Sequence, residues 1–143
     1  MQGVTDYGKD AETGYHIAVF FKNTSLDNYI GKARLMNKPL GVGIIQFADR
    51  VQDVPSVVKG VMDSIAFDER ARDTAKSRYY PLMLEADEIL CLQIQQELYE
   101  GFASQGIQRF YIAFNSFDPN KNEVTPQTIL DDLEMRIKKQ MQQ

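Results

Sequence analysis

The chain has 143 residues, a formal net charge of -4 and a sequence pI of about 5.0. At this length one domain with a real core is expected, without metals or disulfides, and the single cysteine, Cys91, excludes an internal disulfide. The mildly acidic balance argues against phosphate-backbone binding as the main task, and no apolar run reaches the ~20 residues of a membrane helix.

Residues 1–14 are polar, with three glycines and no periodicity. They read as a flexible arm, leaving one α/β domain over 15–143. No basic-then-apolar leader pattern opens the chain, so a cytoplasmic location is expected. Tyr15 to Phe21 is a short, nearly continuous apolar run, the pattern of a strand buried on both faces. Thr24 or Ser25 can cap the helix that follows, and Asp27 suits its first turn. Leu26, Tyr29, Ile30, Ala33 and Met36 form its apolar stripe, and Asn37-Lys38-Pro39 ends it.

Gly41 to Ala48 reads as the second strand, closed by Asp49 and Arg50. Asp53 and Pro55 open the next helix, with Val54, Val57, Val58, Val61, Met62 and Ile65 at helical spacing. Gly60 inside that stripe costs about 1 kcal/mol relative to alanine, which suggests a packing reason or local flexibility. Asp68 to Arg78 is densely charged. Its four-residue spacings, Asp68 to Arg72 and Glu69 to Asp73, read as a solvated helix face. From Leu82 to Ser104 one long helix is favoured, because Leu90, Ile94, Leu98 and Phe102 fall four apart. The alternation in Leu90 to Gln95 keeps a strand open there, as does a hairpin with Leu82-Met83-Leu84.

Ile107 to Phe114 is the third clear strand, and residues 115–120 a polar loop. Thr125-Pro126 starts the last helix. Ile129, Leu130, Leu133, Ile137 and Met141 share one face, with Lys138 and Lys139 at the C-terminal end. The order β-α-β-α-α-β-α, with long crossovers, predicts an α/β fold. The expected sheet has two or three layers and three mostly parallel strands, or four if 82–104 contains one.

In a parallel sheet, ligands bind outside the carboxyl ends of the strands. Thr24, Ser25, Asp49, Arg50 and Asn115 would then form a polar rim open to a small anionic ligand or nucleotide. Caps and turns account for the same residues. Arg72, Arg78, Tyr79 and Tyr80 offer a second surface. They suit a protein contact better than single-stranded nucleic acid, since acids interrupt the bases. His16 has no catalytic or metal partner in the sequence, Cys91 reads as a buried inert thiol, and no cofactor or metal is implied. Gly41-x-Gly43 stands before its strand, the wrong end for a phosphate loop. The reading leans away from an enzyme. It favours a non-enzymatic protein-protein interaction or assembly module, with the chain itself as partner, most simply a homodimer.

Overall fold

A computed structural model describes residues 4–6, 26–48, 54–73 and 77–143. The elements in chain order are β1 (Val4–Asp6), α1 (Asp27–Met36), β2 (Leu40–Phe47), α2 (Val54–Met62), β3 (Glu69–Asp73), β4 (Arg78–Leu84), α3 (Glu88–Ser104), β5 (Phe110–Phe117) and α4 (Pro126–Met141). The expected strand over 15–21, with His16, lies outside the described residues. Of the 1–14 arm only Val4–Asp6 is described, as β1.

The sheet order is β1-β3-β4-β2-β5. β3, β4, β2 and β5 each pair antiparallel with their neighbours, and only short β1 runs parallel to β3. This overturns the expected α/β fold of mostly parallel strands. Among the described residues the fold is α+β, built on four antiparallel strands with four helices. The crossovers themselves are present. β2 and β3 run the same way, joined through α2, but β4 is inserted between them. β4 and β5, joined through α3, are likewise separated by β2. The run β2-α2-β3-β4-α3-β5 is the split β-α-β arrangement of ferredoxin-like sheets.

Helices cover both faces of the sheet. Leu40, Val42 and Ile44 of β2 face Ile30 and Ala33 of α1 and Ile129, Leu133 and Ile137 of α4. Ile45 and Phe47 face Val58 and Met62 of α2 and Cys91, Ile94, Leu98 and Phe102 of α3. Alternate residues of one strand thus enter two cores, so β2 is apolar along almost its whole length.

Three segments depart from the sequence reading. The charged stretch Asp68–Arg78 does not form a helix face where it is described: it holds β3 and the first residue of β4, and these strands pair antiparallel with Arg72 opposite Tyr79 and Ala71 opposite Tyr80. Pro81, which lacks a donor, sits opposite Arg70 in β4. The β2–β4 pairing steps from Val42↔Leu82 to Ile45↔Tyr79, and the gap falls at Tyr80 and Pro81. The region 82–104 is not one helix. β4 ends at Leu84, and α3 starts behind Asp87, whose carboxylate accepts the Leu90 amide at 2.8 Å. The third strand runs three residues later than expected, so Asn115 belongs to β5 rather than to a loop.

The helix ends follow local chemistry. Asn37 closes α1 in the left-handed conformation, φ 54°. Thr125 and Thr128 form a reciprocal capping box with Pro126 in the first turn of α4. Met36 and Met141, expected in the apolar stripes, are exposed instead. Gly60 faces open space, so the structure offers no packing reason for it. Gly101 does have one, since a methyl there would meet Val61 Cγ1 at 2.7 Å where α2 crosses α3.

Candidate functional site

β5 ends the sheet, with β2 on one side and no strand described on the other. In an antiparallel ladder every second residue turns its N–H and C=O away from the partner strand. Side chains meet these outward groups on β5. The Gln140 carboxamide accepts from the Ile112 amide at 3.2 Å and donates to the Ile112 carbonyl at 2.7 Å. Gln95 Oε1 accepts from the Phe114 amide at 3.1 Å. Gln140 thus makes both bonds that a residue of a neighbouring strand would make. The Tyr99 hydroxyl also donates to Gln140 Oε1, at 3.1 Å, joining the two helix layers around the sheet edge.

Helical spacing explains this placement. Gln95 and Tyr99 stand four and eight residues after buried Cys91, on the flank of α3 beside β5. Leu92, 67% exposed, shares that flank. Gln140 continues the buried stripe Leu133–Ile137 and reaches past it to the edge. On α4 the flank beside β5 carries Asp132, Met135, Arg136 and Lys139, which with Gln95 and Phe114 line a groove of about 310 Å³. Asp132 accepts from Arg136 Nε at 2.8 Å and from Asn115 Nδ2 at 3.3 Å. Charge therefore changes sign along this flank, from Asp132 to Arg136 and Lys139. Met135, half exposed, lies between.

Of the residues expected to carry function, Arg72, Arg78, Tyr79, Tyr80 and Asn115 are among the described residues. Thr24, Ser25, Asp49 and Arg50 lie outside the described residues. Asn115 is opposite Val42, five positions before Phe47 at the far end of β2. Because β2 and β5 run in opposite directions, their carboxyl ends do not share an edge, and the premise of a common polar rim fails. Tyr79 and Tyr80 are 4% and 6% exposed and enter opposite cores, so neither ring is open for stacking or docking. Arg78 is held by Gln46 and by an ion pair to Glu134 of α4. Burial alone would lower its pKa, but the Tyr80 hydroxyl and Glu134 outweigh it and the net shift is upward. Arg72 lies beside them, on β3 opposite Tyr79.

Two further polar features are structural. Buried Arg70 bonds Asp63 at 2.8 Å, and Lys59 meets the other carboxylate oxygen at the same distance. Bonds from Lys59 first and Arg70 second hold the Asp63 carboxyl below its ordinary range. Its stabilising effect is therefore present above the usual carboxylate pKa and is lost as pH falls through the lowered value. Asp68 accepts from the Leu84 amide at 2.7 Å and ties the start of the hairpin.

Cys91 is buried on the core side of α3, with Sγ 3.8 Å from the Ala86 carbonyl. Burial, helped by Asp87 and Glu88, pushes its thiol up to about 12. A thiol raised in the folded state stays protonated while the unfolded one ionises, so its contribution to stability declines between about pH 9 and 12. At pH 8 the native chain is expected to react with a thiol reagent on the order of a thousandfold more slowly than the unfolded chain. Labelling followed by mass spectrometry across a urea series checks this. Rapid labelling of the native chain would contradict the placement of Cys91.

Among the described residues no cluster of three or more His, Cys, Asp or Glu could hold a metal ion. No helix among them is long and apolar enough to cross a membrane. No protein-family model matches the chain, and no curated protein matches it in sequence. Among solved structures, the chain is similar to a DGC protein from Thermotoga maritima, with a TM-score of 0.69 at 13% identity. The match covers 95% of this chain and 97% of that one. At this identity the likeness speaks for the fold alone, here over nearly the whole chain.

Proposed function

We propose that the chain is a non-enzymatic protein-protein interaction and assembly module that self-associates through the side formed by α3, β5 and α4. The observation that carries this reading is the charge order on the α4 flank beside β5: Asp132 first, then Arg136 and Lys139. Two copies related by a two-fold axis present the same patch to each other. With the two α4 helices antiparallel, the acid of one faces the bases of the other. Half-exposed Met135, and exposed Leu92 on the α3 flank beside β5, supply apolar area to bury in such a contact.

Sedimentation velocity over a wide concentration range tests the proposal. A concentration-dependent dimer is expected. Replacing exposed Leu92 and Met135 together by lysine should weaken it at least tenfold, since each contact removed is worth about 1 kcal/mol or more at an interface centre. Both side chains are surface-exposed, so the fold should tolerate the change. A strict monomer at the highest concentration overturns the reading.

A further inference from the structure

We infer that β5 is itself the pairing strand of this assembly, and that Gln95 and Gln140 hold its outward backbone groups until β5 of a second copy replaces them. The inference rests on the self-association proposed above and adds its mode. An exposed strand edge invites another strand, and proteins cover such edges to control that contact. Here the cover is chemically matched to a strand. A glutamine carboxamide carries one acceptor and two donors, as a peptide group carries one acceptor and one donor. Gln140 uses both kinds on Ile112, reproducing the paired bonds of an antiparallel ladder. Gln95 satisfies the next outward amide, at Phe114.

Exchange of these side-chain bonds for strand bonds leaves no backbone group unpaired, so the barrier of a bare buried amide does not arise. Identical edges related by a two-fold axis meet antiparallel. That geometry lays the two α4 helices antiparallel on one face, the arrangement in which Asp132 of each copy opposes Arg136 and Lys139 of the other. The partner that fits the edge, its flanks and its charge order at once is thus a second copy of this chain.

The test compares the native chain with a Q95A/Q140A double variant by sedimentation, and follows amide hydrogen exchange at Ile112 and Phe114 across a dilution series. Without the competing carboxamides the variant should dimerise about tenfold more tightly. In both chains the two amides should exchange more slowly in the dimer than in the monomer. Equal dimerisation of native chain and variant, or unchanged exchange at Ile112 and Phe114 on association, overturns the strand-pairing mode while leaving self-association standing. If neither chain associates, the assembly reading falls and this mode with it. If the variant loses its native circular dichroism, the exchange comparison on the native chain alone decides.

Discussion

Replacing Phe102 with alanine is expected to remove about 3–5 kcal/mol of stability, a large share of what a domain of this size has. Phe102 is fully buried at the centre of the layer between the sheet and α2–α3. Its ring meets Phe47 edge-on at 5.3 Å and Phe110 at 5.4 Å, so it joins β2, β5 and α3. Its backbone carbonyl also accepts from the amides of Gln105 and Ile107, which turn the chain from α3 toward β5. Truncation leaves a cavity whose walls are strands and helices held on other sides, so collapse can fill little of it. Urea denaturation followed by far-ultraviolet circular dichroism measures the loss. A cost below about 1 kcal/mol would show that this layer repacks freely, contrary to the close ring contacts.

A second large effect is expected from the smallest change, Gly43→Ala. In a strand this substitution ordinarily stabilises by about 0.4–1 kcal/mol, because it limits the unfolded chain. Here a methyl would lie 2.6 Å from Phe114 Cδ2 and 2.8 Å from the Ala113 carbonyl oxygen. The ring can shift; the carbonyl belongs to the strand paired with β2 and cannot move without loosening the ladder. Overpacking of this kind costs about 1–3 kcal/mol and exceeds the entropic gain. The variant should therefore be less stable than the parent. Phe114→Leu should relieve part of the penalty, so the two substitutions combine non-additively. Four denaturation curves, for the parent, both single variants and the double, measure the coupling. Additive behaviour would mean that Phe114 is not what Gly43 makes room for.

Much of the fold was legible because burial leaves a period in the sequence. The stripes of α1 and α2 and the apolar runs of β2 and β5 all answer to a single physical requirement, an apolar face against a core, and the Thr125-Pro126 start of α4 answers to helix capping. Direction leaves no such mark. Gly41 to Phe47 is apolar but for Gln46 because helices cover both faces of the sheet, and that holds whichever way the neighbouring strands run. A crossover of helical length likewise fits a strand docked beside its predecessor or one place away. The insertion of β4 between β2 and β3 is therefore invisible in the pattern of either strand.

The hairpin was hidden for a different reason. Glu69 to Asp73 carries four charged residues around Ala71, and four-residue charge pairs there imitate a helix. Ala71, Tyr80 and Leu82 enter one core while Tyr79 and Met83 enter the other. Only the two-residue alternation through Tyr80, Leu82 and Leu84 records that arrangement. The candidate site was the least legible part. Gln95 and Gln140 are ordinary helix residues by propensity, and their partners on β5 are 19 and 28 residues away in sequence. The one available signal was positional. Gln140 stands where the stripe through Leu133 and Ile137 calls for another apolar side chain, and a polar residue in such a place needs a backbone group to bond.

The order of strands in the sheet also sets the order in which the chain can become self-sufficient during synthesis. β2 emerges first of the four antiparallel strands, yet its two neighbours are the third and the last of them. From residue 48 to residue 109 the ribosome extends a chain in which the most apolar strand has at least one side unclaimed. The hairpin can close early, since β3 and β4 are local to each other, but it cannot complete both cores. Ile112 and Phe114 arrive with β5, and Ile129, Leu133 and Ile137 later still. The α1–α4 layer is thus assembled from the two ends of the described domain, and its completion is a late event in the life of each new molecule.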